Sequence, residues 1–207
     1  MDAFIMAGGR GTRLERYIDR CEKPLLPLAG RPMITYSIDA LKDTREIGQI
    51  YIITSPNTPE TARWTEEHHP EIEVIRTPGN GYVQDMITAV RETKVKGALL
   101  MVMSDLPLIT SELLKQIIHA YYEAGMDALS VHIPLETCKR LGTEPETVFH
   151  KDGRLIVPVG INILKTEKIE IEQEDYNFIL DESNVVLNVN TPKDYHICER
   201  ILRIKKS

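Results

Sequence analysis

The chain has 207 residues, 42% of them hydrophobic and 27% charged, a size and balance that fit one α/β domain, residues 1–207, with a core of its own. Its net charge of −6 argues against bulk nucleic-acid binding, and no apolar run reaches the ~20 residues of a membrane span. Three scattered cysteines, Cys21, Cys138 and Cys198, form no CxxC pair, which argues against structural zinc and disulfides and points to a reducing cytoplasm.

The first strand is expected at Ala3–Met6, with no basic segment and long apolar run of a signal peptide before it. Further strands are expected at Gln49–Thr54, Glu73–Ile75, Ala98–Met103, Ala128–His132, Val148–His150, Leu155–Ile163 and Val185–Val189. Several are short apolar or β-branched runs without clean alternation, the pattern of a sheet covered on both faces. Helical patterns lie between them. In 82–91, Val83, Met86, Ile87 and Val90 share a face; in 110–124, Leu113, Leu114, Ile117, Ile118, Tyr121 and Tyr122 do, with Gly125 to close the end. Thr58-Pro59 and Thr191-Pro192 mark two helix starts, and Asp194 completes a near-capping box with Thr191. The β-α alternation predicts a Rossmann-like three-layer α/β/α fold with a mostly parallel mixed sheet, its ligand at the carboxyl ends of the strands. The less regular stretch 135–183 is expected to hold a β excursion over the site.

Charge is uneven. Residues 1–31 hold six basic side chains against four acidic ones, a local bias that suits a small polyanion. The same region carries the strongest motif, Ala7-Gly8-Gly9-Arg10-Gly11-Thr12-Arg13, directly after the first strand. Three glycines in four positions let the backbone turn sharply and approach a phosphate chain, and successive N–H groups make an anion cradle. Arg13 and Lys23 can add positive charge to a triphosphate. No Walker A run exists, and Leu14 stands where a dinucleotide fingerprint would place its third glycine. Asp105 ends the apolar run Leu99–Ser104, where it reads either as a turn residue before Pro107 or as a metal ligand.

Gly8-Gly9-x-Gly11-Thr12-Arg13 followed by Lys23-Pro24 resembles the signature of nucleotidyltransferases with a GT-A-like Rossmann fold. That resemblance implies that Ala7, Gly8, Gly9, Arg10, Gly11, Thr12, Arg13 and Lys23 wrap the phosphates of a nucleoside triphosphate. It implies catalytic roles for Arg13, Lys23 and Asp105, and Mg²⁺ held by Asp105 and Asn190, the latter in Asn188–Asp194. Thr54–Pro59, Gly79–Tyr82 and Pro158–Asn162 together resemble the adenosylcobinamide-phosphate guanylyltransferases of archaeal cobamide synthesis. This closer resemblance implies GTP as donor and a phosphorylated small molecule as acceptor. It adds Ser55, Asn57, Thr58, Gly79 and Gly81 to the nucleotide site and places Gly160 and Asn162 at the acceptor. The stretch from Leu14 to Lys23 is longer than in short guanylyltransferases and resembles the sugar-nucleotide enzymes in length. A molybdenum-cofactor guanylyltransferase or a sugar-phosphate nucleotidyltransferase is therefore the enzymatic alternative.

Two other classes are weighed. A nucleotide-binding regulatory module would keep the loop and lose the metal aspartate, yet Asp105 is present. A glycosyltransferase of this fold would prefer Asp-x-Asp, which the sequence lacks. No membrane or nucleic-acid partner is expected, and the oligomeric state is left open, a homodimer included.

Overall fold

The computed structural model describes residues 1–12, 14, 21–180 and 186–205, with side chains through 204. In chain order the elements are β1 (Asp2–Met6), β2 (Pro27–Leu28), β3 (Arg31–Pro32), α1 (Ile34–Lys42), β4 (Ile50–Thr54), α2 (Pro59–His68), β5 (Glu73–Arg76), α3 (Tyr82–Thr93), β6 (Ala98–Met103), α4 (Ser111–Ala124), β7 (Ala128–Pro134), α5 (Leu135–Leu141), β8 (Phe149–Lys151), β9 (Arg154–Lys165), β10 (Asp175–Ile179) and α6 (Pro192–Lys205). Eight strands form one sheet in the order β10-β7-β9-β6-β1-β4-β5, with β8 paired to β9 alone. β1 pairs in parallel with β4 and β6, β4 with β5, and β7 with β10, whereas β9 runs antiparallel to both its neighbours.

The continuous apolar character of β1 follows from its place between two covered faces. Ala3 and Ile5 pack into a cluster with Ile34, Ile38 and Leu41 of α1 and with Leu113, Leu114, Ile117 and Ile118 of α4. Phe4 and Met6 point the other way, onto Met86, Ala89 and Val90 of α3. The fold is thus the expected three-layer α/β/α arrangement. A third cluster, with Leu14, Leu28, Met33, Leu187, Val189, Ile197 and Leu202, packs α6 beneath the loops at the strand ends. Helix ends follow their sequence signals. Thr110 Oγ1 accepts from the Leu113 N–H at 3.3 Å, and Gly125 closes α4 at φ +65°.

Four features differ from the sequence reading. Residues 186–190 are not a strand, because the Val189 N–H goes to the Asp105 carbonyl (3.0 Å) rather than to a neighbouring strand; Val185 lies outside the described residues. β10 is an edge strand whose half-exposed Asp175-Tyr176-Asn177 carries no apolar alternation. Part of 135–183 is no excursion, since β9 enters the main sheet between β6 and β7. The small β2–β3 hairpin turns on Ala29 (φ +48°) and Gly30 (φ +89°), without the Asn-Gly signal such turns favour.

Candidate functional site

β1, β4, β5 and β6 run parallel, so their carboxyl ends share one edge, and the chain's chemistry gathers there. After Met6, the Ala7 N–H still bonds to the Ile53 carbonyl (2.8 Å) before the chain turns through the glycines. A Cβ on Gly8 would lie 3.1 Å from Ser55 Cβ, so the loop is pressed against the residue that follows β4. Ser55 Oγ donates to the Gly8 carbonyl (2.7 Å) and accepts from the backbone N–H (3.1 Å) and side-chain Nδ2 (3.2 Å) of Asn57. The Ser55 N–H donates to Thr58 Oγ1 (3.2 Å). Gly11 sits at φ +64°, and a Cβ there would come within 2.9 Å of Lys23 Cβ. This close approach lays the Lys23 stem against the loop.

Two cavities flank the glycines. One, of about 290 Å³, is lined by Ala7, Gly9, Arg10, Gly11, Thr12, Lys23, Asp105 and Asn190. The other, of about 300 Å³, is lined by Gly8, Gly9, Arg10, Asn57, Gly79, Gly81, Tyr82 and Asp85. A third, of about 640 Å³, has Gly160, Asn162, Asn188 and Asn190 in its wall. All three meet at Met103. Ser55 and Thr58 line none of them; their hydroxyls are spent tethering the loop from behind. Arg13 lies outside the described residues.

The first cavity contains a buried ionic cluster. Asp105, 6% exposed, directly follows Ser104 at the end of β6. Its Oδ2 accepts from Lys23 Nζ, and its Oδ1 accepts from Asn188 Nδ2 at 2.9 Å. Lys23 Nζ also donates to Asn190 Oδ1 at 2.9 Å. Two side-chain oxygens from distant parts of the chain thus converge on one cationic atom. Asn190 is fixed in turn by Asp194, whose Oδ2 accepts from the N–H groups of Asn190 (3.1 Å) and Thr191 (2.8 Å) and from Thr191 Oγ1 (2.9 Å). The Asp194 N–H returns to Thr191 Oγ1 (3.2 Å), closing the capping box that starts α6. Nearby, burial pushes the Cys198 thiol far up, and the charges of Asp194 and Asp105 add to the shift.

Four participants escaped the sequence reading. Glu22 holds the start of α2: its carboxylate accepts from the N–H groups of Glu60 (2.8 Å) and Thr61 (2.7 Å) and from Thr61 Oγ1 (2.6 Å). It takes the capping part expected of Thr58 and anchors the backbone next to Lys23. Asn188 braces Asp105. Tyr82 leaves 41% of its surface exposed, yet its hydroxyl turns inward toward Met101 Sδ (4.0 Å) and Asn162; burial pushes its pKa up and the Asn162 amide opposes the shift. Asp85, 7% exposed, accepts from the N–H groups of Gly79 (3.0 Å) and Asn80 (3.3 Å). Of these, Tyr82 and Asp85 carried a weak signal, since they stand just after Gly79-Asn80-Gly81. Asn188 stands in the Asn188–Asp194 segment without a role of its own there, and Glu22 reads as an ordinary polar residue.

Among the described residues, no group of three or more His, Cys, Asp or Glu could hold a metal ion, and no helix is long and apolar enough to cross a membrane. The family described as the MobA-like NTP transferase domain matches residues 3–143. The adenosylcobinamide-phosphate guanylyltransferase of Methanocaldococcus jannaschii is 33% identical over 211 residues, covering 98% of each chain. The bifunctional protein GlmU of Exiguobacterium sibiricum is 30% identical over 125 residues, 59% of this chain and 26% of that protein. Among solved structures, HddC from Yersinia pseudotuberculosis, complexed with GMP-PN, matches with a TM-score of 0.73 at 16% identity over 97% of this chain and 99% of that one. CMP:2-keto-3-deoxy-manno-octonic acid synthetase, complexed with CTP, matches with a TM-score of 0.71 at 12% identity, covering 99% and 98%. The two structures share the fold, while the full-length relative and the family match show kinship. The chain belongs to the MobA-like NTP transferase family and is a nucleotidyltransferase.

Proposed function

We propose that the chain acts as one domain that transfers the guanylyl group of GTP to adenosylcobinamide phosphate and releases pyrophosphate, a step of cobamide synthesis. The observation that carries this reading is the meeting of three cavities at Met103: two flank the glycine loop, and the third holds Gly160 and Asn162. A donor spread over the first two would bring its α-phosphorus next to an acceptor in the third. The M. jannaschii guanylyltransferase, alike from end to end, supplies the substrate pair.

The acceptor is a phosphate monoester with a second pKa of about 6, so it is mostly a dianion at pH 7 and needs no base to attack. The chain's task is to bring two polyanions together in line. Backbone N–H groups of Gly8–Thr12 take the donor phosphates, and Lys23 neutralises charge at the same cavity. Asp105 and Asn188 hold Lys23 and its surroundings in place. Enzymes of this kind generally use a divalent metal, and the donor set fits Mg²⁺: an aspartate and an amide oxygen that already face one cation, with room for phosphate oxygens as the other ligands. Asp105 and Asn190 would hold it, and its charge would stabilise the α-phosphoryl oxygen and the departing pyrophosphate. Arg13 is assigned to the donor phosphates on its place in the motif alone.

A thermal-shift panel of GTP, ATP, CTP and UTP with Mg²⁺ tests the donor. GTP is expected to stabilise most, by about 2.7 kcal/mol at a hundredfold excess over Kd. A largest shift with UTP or CTP would instead favour a sugar-phosphate nucleotidyltransferase.

A further inference from the structure

We propose that Asp85 is the residue that selects guanine, by accepting from the N1–H and N2–H groups of the base. The inference rests on the guanylyl reading above and adds the atom that enforces it.

The second cavity has the composition of a base site. Met6, Ile53 and Met103 give it apolar walls, the glycine loop closes one side, and Asn57, Thr77 and Asp85 bring side-chain polar atoms. It also shares Gly9 and Arg10 with the cavity of Lys23 and Asp105, so a base there connects to phosphates along the same loop. Within it Asp85 is the one charged group that is buried. The Oδ1 atom is committed to the turn, accepting from Gly79 and Asn80. The Oδ2 atom has no partner among the described residues. Among the described residues no side-chain oxygen sealed from solvent lacks a partner, so Oδ2 keeps contact with open space, and the cavity is the open space that Asp85 lines.

A carboxylate oxygen only accepts hydrogen bonds, and this sorts the bases. Guanine presents two adjacent donors on its pairing edge. Adenine and cytosine present an amine beside a ring nitrogen that is itself an acceptor, and uracil presents one N–H between two carbonyls. Each of these three sets a lone pair against Oδ2, whereas guanine does not. Rejection by an opposed lone pair in a desolvated site is stronger than the loss of a contact. The turn supports the same geometry. Gly79 (φ +78°) and Gly81 (φ +106°) adopt conformations that favour glycine, and they bring the first turn of α3, with Asp85, up to the loop.

Asp85→Asn keeps an acceptor for the Gly79–Asn80 turn and replaces the outward oxygen, or its equivalent, with a donor amide. Isothermal titration of the whole protein with GTP, ITP and XTP in Mg²⁺ separates the two roles. ITP lacks the N2 amine, and XTP puts a carbonyl in its place. The wild-type protein is expected to bind ITP about tenfold and XTP more than tenfold more weakly than GTP. In Asp85→Asn the GTP affinity should fall about ten- to a hundredfold, the ITP penalty should vanish, and XTP should bind better than GTP. Equal weakening of all three nucleotides would make Asp85 a turn-shaping residue only and overturn the proposal. Equal binding of GTP and ITP by the wild type would overturn it without any variant. A wild-type protein that favours ATP, CTP or UTP over GTP would instead bring down the guanylyl reading itself, a result distinct from either.

Discussion

Lys23 and Asp105 form a pair whose side chains are 14% and 9% exposed. An ion pair so enclosed is weak support for folding, because desolvation offsets most of the attraction. Its place beside the glycine loop suits charge that is needed when phosphates arrive. Lys23→Ala is therefore expected to lower kcat by about 10²-fold, the loss typical when one preorganised donor is removed from a transition state. Asp105→Asn should cost a similar factor and also lower the melting temperature, because it leaves the enclosed Lys23 ammonium without its counter-charge. Steady-state pyrophosphate release checks both, and a wild-type rate in either variant would remove that residue from the chemistry. The glycines divide in a way that can be measured. Gly11→Ala forces a positive φ and a contact with Lys23 Cβ, and should cost about 1–2 kcal/mol of stability. Gly9→Ala meets nothing within 4 Å and should fold like the wild type while raising KM for GTP. Denaturant titration paired with kinetics separates the two. At this scale the gathering of the loop, Lys23, Asp105 and Asn190 was anticipated from the glycine motif and the resemblance it carries, since an Asp after an apolar strand reads equally as a turn residue. Asp85 was not: in the amphipathic pattern of 82–91 it falls on the polar side, and only the fold shows that this turn of α3 faces a cavity.

Besides α3, two helices, α2 and α6, reach the site through their N-termini. Asp194 holds Asn190 and Thr191 with one oxygen, and Asp194→Ala should cost about 1–2 kcal/mol, as lost caps do. Because it also frees Asn190, activity should fall further than stability explains; Thr191→Ser, which keeps the hydroxyl, should behave like the wild type. The same logic applies to Glu22 at α2. Glu22→Ala removes the acceptor for two helix N–H groups and the anchor beside Lys23, so amide exchange at Glu60 and Thr61 should accelerate by about tenfold. Unchanged exchange there would show that the cap is not held in solution. The Thr-Pro signals gave both helix starts, and Asp194 was visible three residues after Thr191. Glu22 could not be seen, since its contact spans 38 residues and capping patterns are local. Residues 186–190 misled for a related reason: an apolar run broken by Asn resembles a strand, but Val186, Leu187 and Val189 are buried against other clusters while Asn188 and Asn190 turn to the site.

Across the whole molecule, the sheet order was the part least available from sequence. Apolar runs between helical patterns imply a covered parallel sheet, and that followed. The insertion of β9 between β6 and β7 depends on pairings such as Leu100 with Ile163, far apart in the chain, which no local pattern encodes. The packing of α6 over the strand ends makes its own prediction. Cys198 and Cys138 are 0% and 2% exposed, and burial pushes both thiols up; Cys21 is half-buried and raised by burial and by Glu22. Near neutral pH the folded protein should react with an alkylating reagent slowly at Cys21 and at the other two only through opening. Labelling of Cys198 as fast as Cys21 in the absence of denaturant would contradict the packing of α6.

Transfer of a guanylyl group from one phosphate to another can be followed by incubating the protein with Mg²⁺, GTP and adenosylcobinamide phosphate, alone and together, and measuring pyrophosphate and the corrinoid product by mass spectrometry. Pyrophosphate is expected only when both substrates are present, in equal amount to a guanylylated corrinoid, with Asp105→Asn slower by about 10²-fold. Pyrophosphate without corrinoid product, or uridylyl or cytidylyl transfer to the corrinoid from UTP or CTP as fast as guanylyl transfer from GTP, would overturn the guanylyl reading.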